Sequence, residues 1–293
     1  MTDYGHDIEF GTFITPVNRP PRQAVELARL SERLGFDLAT FQDHPYQPAF
    51  HDTWTLMSFV AASTSRIRLA GNVHNLPLRQ PAVLARSIAS LDLLTGGRIE
   101  FGLGAGNFWD AIEAMGGRRL APADAVTALS QAIDVIRGVW NVDGDGRLVA
   151  GGEFYRVDGA KRGPRPAHDV PIWIGAYQPR MLRLVGEKAN GWLPSLGYLT
   201  PGAFEASNGR IDDAAHAAGR QPGEVRRLLN VGALPGDAEQ QAETLTGFAL
   251  EHGFSVFIVP GDDPAALEVF AAEVAPRVRE AVAGARTSHP STS

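Results

Sequence analysis

Eight short apolar runs, each followed by a segment of helical periodicity, recur along this chain of 293 residues. Most of the runs are continuously apolar, as in parallel strands that are buried on both faces of a sheet. Proline and glycine mark the helical segments between them; Pro81 begins one such segment and Gly96 ends it. The alternation predicts a (β/α)8 TIM barrel, with an open, doubly wound sheet as the alternative. The eight predicted strands are residues 8–14, 38–41, 67–73, 99–103, 172–174, 192–194, 228–233 and 256–259.

Two irregular stretches interrupt the alternation, and they predict insertions after strand 4 and between helix 4 and strand 5. They cover residues 105–122 and 141–171. The second contains two short runs, 147–149 and 154–157, that predict a small hairpin. Insertions of this kind in barrels often lie at the strand ends that build active sites.

The chain length suits a single TIM-barrel domain over residues 1–283, since such barrels take about 250 residues. A hydrophobic content of 44% is enough for a large core. Residues 284–293 are small and polar, and they are predicted to be a disordered tail.

Charge and composition exclude several classes of protein. A net charge of −6 and a pI near 5.8 lack the basic footprint of nucleic-acid binding. No apolar run approaches the roughly 20 residues that a membrane span needs. The chain has no cysteine and its histidines lack ligand-like spacing, so neither a disulfide nor a metal site is predicted. With no visible signal peptide, the expectation is a cytoplasmic protein that acts on a small molecule.

Polar residues follow the second predicted strand, where Asp43 and His44 come directly after an apolar run. A carboxylate and an imidazole at the end of a barrel strand are able to act as acid, base or hydrogen-bond partner. The alternative is that Asp43 caps the next helix and that His44 is an ordinary loop residue. The sequence leaves both interpretations open.

The third predicted strand ends in Gly71, Asn72, Val73, His74 and Asn75. A glycine inside a strand often marks a bulge or a close approach of backbone. A bulge here would let a flat ring lie against the backbone, with the side chains of His74 and Asn75 facing the pocket. The alternative is a simple exit from the strand.

The fourth strand leads into a glycine turn, residues 102–107, with glycine at positions 102, 104 and 106. A dinucleotide fingerprint would need a third glycine at position 107 or 109, where the chain has Asn107 and Trp109. The turn therefore predicts bare backbone against a ligand, or a tight turn that merely requires glycine.

The fifth strand is followed by Gly175, Ala176, Tyr177 and Gln178, and Pro179 reads as the first residue of a helix. The free backbone N–H groups of such a helix start bind phosphate or another anion. This segment is a candidate anion site, and Arg180 is either part of it or simply solvated.

Taken in order, these motifs resemble the bacterial luciferase-like flavin and deazaflavin oxidoreductase family, and the resemblance covers residues 8–282. Several linked motifs in the same order are more specific than any one glycine pattern. The segments that carry the resemblance are Asp43-His44, residues 64–69, Arg79-Gln80-Pro81, and residues 91–98, 102–106, 171–175 and 190–192.

The resemblance implies a cofactor site at the carboxyl-terminal face of the barrel, with the cofactor phosphate on the loops after strands four and five. The Asp43-His44 pair is most similar to the branch that uses the deazaflavin F420, so F420 is expected and FMN is the alternative. A non-proline cis peptide bond between Asn72 and Val73 is implied behind the ring. The implied cofactor-binding residues are Asp43, Gly71, Asn72, Val73, Gly104, Ala105, Gly106, Asn107, Gly175, Ala176, Tyr177 and Gln178.

By the same resemblance, the chain is an F420-dependent oxidoreductase that transfers a hydride between deazaflavin and a small organic substrate, and it forms a homodimer. His44 would give or take the substrate proton, and Asp43 would orient His44 or bind the ring. Trp54, His74 and Trp109 are expected to contact the substrate.

The sugar-phosphate dehydrogenase branch differs from this chain in having a glutamate directly after its glycine turn, where this chain has Asn107. A less charged substrate is therefore expected, in keeping with the apolar Phe108 and Trp109 that follow. Two alternatives remain: an FMN-dependent monooxygenase that uses reduced flavin and oxygen, and a non-catalytic barrel that binds flavin.

Overall fold

A computed structural model describes residues 3–200 and 202–288 and contains the predicted closed barrel of eight parallel strands. Around the barrel the strands follow the order β1-β10-β9-β8-β7-β4-β3-β2, and β2 pairs with β1 to close it. All eight predicted strands are confirmed, with ends shifted by a few residues. The strands of the protein are β1 (Glu9–Ile14), β2 (Leu38–Phe41), β3 (Arg68–Asn75), β4 (Ile99–Gly104), β5 (Leu148–Gly151), β6 (Arg156–Ala160), β7 (Ile172–Ile174), β8 (Gly191–Trp192), β9 (Arg226–Asn230) and β10 (Phe254–Pro260).

Helices surround the barrel, and local sequence signals set several of their ends. Asp237 caps α8 by accepting a hydrogen bond from the Gln240 N–H at 3.0 Å, and the left-handed Gly253 ends it. The helices are α1 (Gln23–Arg33), α2 (Thr53–Ser63), α3 (Pro81–Thr95), α4 (Trp109–Ala114), α5 (Pro122–Trp140), α6 (Pro179–Lys188), α7 (Ala203–Ala217), α8 (Ala238–His252), α9 (Pro264–Val269) and α10 (Ala275–Ser288).

The apolar residues form two separate cores. The larger core lies between the strands and the helices that surround them. The smaller core fills the lumen of the barrel, so that the barrel is a packed cylinder and not a pore. Its buried members are Leu38, Ala70, Trp173, Leu193, Leu228, Val256 and Ile258.

Charged side chains close the base of the barrel, where the strands begin. Arg68 binds Glu100 at 2.6 Å and also pairs with Glu9, and Arg226 binds Glu9 at 3.0 Å. These residues come from the amino-terminal ends of four strands and meet across the lumen. The open mouth of the barrel is therefore at the carboxyl-terminal ends of the strands.

Both predicted insertions are present. The short helix α4 lies within the first, and β5 and β6 form the predicted hairpin in the second. The turn of the hairpin reaches the end of β3, where the Tyr155 hydroxyl donates a hydrogen bond to the Leu76 carbonyl at 3.3 Å. Gln131 of α5 holds this turn by accepting the N–H groups of Phe154 and Tyr155. The second insertion thus extends from the base of the barrel toward its mouth.

The predicted tail needs a correction, because α10 continues to Ser288. The guanidinium of Arg286 donates two hydrogen bonds of 2.8 Å to the carboxylate of Asp3, which ties the last turns of the helix to the body of the protein. The prediction of a disordered tail is therefore wrong for residues 284–288. The rest of that tail, residues 289–293, lies outside the described residues.

The predicted bulge in the third strand is confirmed. The pairing of β3 with β4 shifts register between Gly71 and His74, and the Asn72–Val73 peptide bond is cis. The two strands come so close here that a Cβ on Gly102 would lie 2.3 Å from the carbonyl oxygen of Gly71. Only glycine fits at position 102.

Replacing Gly102 by alanine is expected to lower the free energy of unfolding by about 1–3 kcal/mol, because the new methyl group must push β3 and β4 apart. Gly209 is the matched control, since it lies inside α7 and a Cβ there would meet nothing within 4 Å. Gly209→Ala should raise the same quantity by about 0.5–1 kcal/mol. Urea unfolding of both variants measures the difference, and an equal or larger loss for Gly209→Ala would contradict this account.

Candidate active site

The parallel closed barrel brings the predicted site segments to one end of the molecule. His44 follows β2, Asn72 and Val73 lie in the bulge of β3, and the loops after β4 and β7 complete the rim. Two further polar residues, Ser195 after β8 and Asn230 at the end of β9, reach the same mouth. Carboxyl-terminal strand ends are where TIM barrels place their active sites.

His44 lies at this mouth with its imidazole half-buried. Its ring stacks on Tyr46 at a centroid distance of 5.3 Å and meets the edge of Phe108 at 5.3 Å. Burial lowers the pKa of His44 below its usual value of 6.5, and the negative charge of Asp43 only partly offsets this. The ring is therefore neutral near pH 7 and is able to accept a proton.

Tyr46 is a site residue that sequence reasoning missed. Its hydroxyl is buried and has no hydrogen-bond partner among the described residues. Burial raises the pKa of Tyr46 to about 12, and the nearby Asp43 contributes in the same direction, so the hydroxyl stays protonated. The clearest signal in the sequence was its position two residues after His44.

Asp43 is buried beneath the surface of the site, which argues against the predicted contact of its carboxylate with the cofactor ring, whereas the prediction that it orients His44 stays a prediction. It is only 1% exposed and accepts two hydrogen bonds of 2.7 Å from the guanidinium of Arg79. The N–H of Asn75 donates a third at 2.9 Å. Burial alone would raise the pKa of this carboxyl, but the bonds from Arg79 hold it well below its usual range. Asp43 is thus a buried anchor that joins the loop after β2 to the end of β3.

His74 also differs from the prediction. Its ring is completely buried, with its Nδ1 atom 3.7 Å from Asp43, and it packs against Trp54 and Phe101. A Cβ on Gly71 would lie 2.6 Å from its Nε2 atom, so this glycine makes room for the ring. The prediction that His74 contacts the substrate is wrong, because the bulge turns its side chain into the wall of the barrel.

Trp54 and Trp109, the other residues predicted to contact the substrate, are half-buried and pack on the protein itself. Trp54 lies against the ring of His74 at a centroid distance of 5.8 Å. The Cη2 atom of Trp109 would lie 3.0 Å from a Cβ on Gly106, so its ring supports the glycine turn. Contact of either residue with a substrate stays a prediction.

The glycine turn is shaped by its neighbours in the protein. A Cβ on Gly104 would lie 2.6 Å from the Cγ2 atom of Val73, and one on Gly106 would lie 2.7 Å from the Cγ atom of Pro77. Gly106 also has a φ of 97°, which side chains rarely adopt. The glycines let the turn pack closely on the bulge, and residues 104–106 keep half-buried backbone at the mouth.

The start of α6 fits an anion. The helix begins at Pro179, as predicted, and within the described residues no side chain caps its first turn. Arg180 is exposed in that turn. Just before it, the Tyr177 hydroxyl accepts the Ser195 N–H at 2.9 Å, which joins the rims after β7 and β8. The N–H groups and the cation suit a phosphate group, such as that of a cofactor tail.

Asn72 and Asn230 form a pair of side-chain amides across the mouth. The Nδ2 atom of Asn72 donates to the Oδ1 atom of Asn230 at 2.7 Å, and the reverse bond is 3.2 Å. Sequence reasoning named Asn72 but not its partner. The signal for Asn230 was one polar residue inside an apolar strand, which does not reveal a partner 158 residues away.

His44 lines neither of two cavities in the protein. One of about 500 Å³ is at the base, between the end of α5 and the starts of β7 and β8. The other, of about 530 Å³, is on the outer rim between the loops after β1 and β2. No group of three or more His, Asp or Glu side chains able to hold a metal occurs within residues 3–200 and 202–288. No helix in those same two ranges is long and apolar enough to cross a membrane.

Fold and site together define a TIM-barrel protein with a polar mouth, a neutral histidine and a helix start suited to an anionic ligand. Comparison with known proteins makes this more specific. The sequence profile of the luciferase-like monooxygenase family matches residues 8–291, and the chain belongs to that family.

Two curated relatives are similar over about three quarters of the chain. One is the 5,10-methylenetetrahydromethanopterin reductase of Methanolobus tindarius, 33% identical over 74% of this chain and 62% of the relative. The other is the F420-dependent glucose-6-phosphate dehydrogenase of Nocardia farcinica, 30% identical over 77% and 68%. The matched segment thus spans only about two thirds of the length of these relatives.

Solved structures share the fold at lower sequence identity. An F420-dependent secondary alcohol dehydrogenase with an F420–acetone adduct superposes with a TM-score of 0.82 at 18% identity, over 93% of this chain and 99% of the other. A type II Baeyer–Villiger monooxygenase from Pseudomonas putida in complex with FMN gives 0.75 at 18% identity, over 93% and 100%. At this identity the likeness confirms the barrel.

Replacing Asp43 by asparagine is expected to lower the free energy of unfolding by about 3–5 kcal/mol, because it leaves the Arg79 charge without its buried partner. Asp52→Asn is the matched control. Asp52 also accepts a hydrogen bond from Arg79, at 2.8 Å, but it is 43% exposed and caps α2, a role that asparagine retains. Asp52→Asn should lower the free energy of unfolding by less than about 1 kcal/mol. Urea unfolding at pH 7 tests this, and similar losses for both variants would show that burial of Asp43 is not decisive.

Proposed function

We propose that this protein is an F420-dependent oxidoreductase that transfers a hydride to or from a small, uncharged organic molecule. The observation that carries the proposal is His44, a neutral and partly accessible imidazole beside the bulge of β3 at the barrel mouth. The names of two curated relatives and one solved structure support it, because they describe enzymes that depend on F420 or that reduce methylenetetrahydromethanopterin.

The residues at the mouth fit the cofactor in two places. The bulge at Asn72 and Val73 offers half-buried backbone for one face of a ring. The uncapped start of α6, with Arg180 and the turn at residues 104–107, suits the anionic tail. When bound, a deazaflavin supplies a hydride or accepts one.

His44 handles the proton in this proposal. During oxidation of an alcohol its neutral imidazole accepts the hydroxyl proton, and during reduction the protonated ring returns it. Tyr46 and Phe108 hold the ring from two sides, which limits its orientation. Because Asp43 is committed to Arg79, it acts only by fixing the loop that carries His44.

The side chains around His44 favour an uncharged substrate. Phe108 is 50% exposed above the imidazole, and Tyr177 and Tyr198 form an exposed aromatic pair on the other rim. The turn that ends at Asn107 carries no carboxylate to pair with a substrate. A small alcohol, aldehyde or ketone suits this environment better than a sugar phosphate.

An FMN-dependent monooxygenase is the second candidate, because a structural neighbour with this fold binds FMN. Titration of the purified protein with F420 and, separately, with FMN distinguishes the two through quenching of tryptophan fluorescence. We expect saturable quenching by F420. Tight binding of FMN without binding of F420 would contradict the proposal.

The variant His44→Ala should retain F420 binding. It should oxidise a small alcohol about 10²–10⁴-fold more slowly than the wild type, because general acid–base catalysis usually contributes that much. Because its pKa lies below 6.5, oxidation by the wild type should be constant near pH 7 and fall as the pH drops through that pKa. His44→Ala should lose this acidic limb. His216→Ala, on the exposed face of α7, serves as the control. Turnover that His44→Ala leaves unchanged would contradict the role of His44, and no turnover in the wild type would instead favour a non-catalytic barrel.

We also propose that the chain forms a homodimer through α2 and α3. These neighbouring helices expose large apolar side chains, among them Phe59 at 50% and Leu94 at 83%. The sequence of α2 contains no charged residue, whereas α1 carries four on its surface turns. An outward face of this kind is typical of helices that are buried against a partner.

A cytoplasmic location stays a prediction, supported by the absence of cysteine.

Leu94→Glu is expected to convert the dimer to a monomer, because it places a charge in the apolar contact. Val269→Glu is the matched control, since Val269 is 50% exposed on α9, which is outside the proposed interface. Sedimentation velocity at several concentrations reads out the mass of each variant. A monomeric wild type, or a dimer that survives Leu94→Glu, would contradict this interface.

A further inference from the structure

We propose that Asn230 is a positioning residue that holds the bulge of β3 in place from the opposite wall of the barrel. Strands β3 and β9 lie across from each other, four places apart in either direction around the closed sheet. At the mouth, the side-chain amides of Asn72 and Asn230 join the two strands directly. The inference rests on the proposed function only where it concerns the cofactor.

The contact between the two strands is reciprocal. Asn72 donates to Asn230 at 2.7 Å and Asn230 donates to Asn72 at 3.2 Å, so each amide is both donor and acceptor to the other. The second N–H of each amide is also used. Asn72 donates to the Thr40 hydroxyl and Asn230 to the Ser195 hydroxyl, both at 3.2 Å. This pattern fixes which way both amides point, since exchanging oxygen and nitrogen in either one would set donor against donor.

The backbone beside Asn72 lacks other support of this kind. In the register of β3 with β4, Gly71 pairs with Phe101 and His74 pairs with Leu103, while residues 72 and 73 have no partner. The side chain of Asn72 is therefore tied across the mouth where the ladder is interrupted. Loss of Asn230 should loosen the bulge of β3 without disturbing the apolar lumen beneath it.

The lumen supplies the matched control. Ile258 pairs with Asn230 in the register of β10 with β9, and it is buried and apolar. Ile258→Val removes one methylene group at the same level of the barrel and leaves the amide pair intact. If Asn230→Leu acts by loosening the barrel in general, its effects should resemble those of Ile258→Val. If it acts by breaking the amide pair, its effects should be larger.

The first experiment needs no cofactor. Hydrogen exchange, followed by mass spectrometry of peptides covering residues 70–76, compares the wild type with Asn230→Leu and Ile258→Val. We expect exchange in this segment to become about tenfold faster in Asn230→Leu, the effect of losing one or two neutral hydrogen bonds, and to stay unchanged in Ile258→Val. Unchanged protection in Asn230→Leu would overturn the inference.

The second experiment is a double-mutant cycle on F420 binding by fluorescence titration. Asn72→Leu and Asn230→Leu should each weaken binding by about tenfold, and the double variant should be no weaker than either, because one interaction has been removed twice. Ile258→Val should bind within twofold of the wild type. Additive losses, or full binding by Asn230→Leu, would contradict the role.

The two experiments separate the failure of this inference from that of the proposed function. If the wild type does not bind F420, the proposed function fails, and the exchange experiment still decides whether Asn230 holds the bulge. If the wild type binds F420 and both readouts of Asn230→Leu match those of Ile258→Val, the proposed function stands and the positioning role is rejected.

Discussion

The buried ion pair of Asp43 and Arg79 is the interaction on which the site depends most. It joins the loop after β2, the end of β3 and the segment leading into α3 at one point, and Arg79 extends the contact to the cap of α2. His44 is the next residue after Asp43 and takes its place from this anchor. A carboxylate held by Arg79 and by the Asn75 N–H thus anchors the backbone next to the half-buried imidazole of His44, the base of the proposed reaction. In the proposed reaction, Asp43 therefore only anchors the loop, and proton transfer is left to His44 alone.

The bulge of β3 is the second element that shapes the mouth, and several glycines exist because of it. Gly71 leaves space for the His74 ring, Gly102 for the carbonyl oxygen of Gly71, and Gly104 for the side chain of Val73. Each of these contacts is between the chain and itself. The glycine-rich sequence after β4 is therefore explained by the close approach of two strands, and any ligand at the turn meets a surface that is already formed.

The sequence was sufficient for the barrel and only partly sufficient for the site. Apolar runs and helix ends are local signals, which is why all eight strands and the hairpin at residues 148–160 were found. The bulge followed from the resemblance and from the glycine in the strand. The burial of Asp43 and His74 could not be predicted from the sequence. It depends on the contact with Arg79 and on the direction in which the bulge turns each side chain. Asn230 was missed for the same reason, since its partner is distant in the chain.

Because charged side chains close the base of the barrel, no ligand is able to pass through its centre. The lower end is closed by the ion pairs of Arg68 with Glu9 and Glu100 and of Arg226 with Glu9, and the packed apolar residues of the lumen lie above them. Any ligand that binds at the carboxyl-terminal face must therefore arrive and depart on that same side, because side chains fill the barrel from the lumen down to its base.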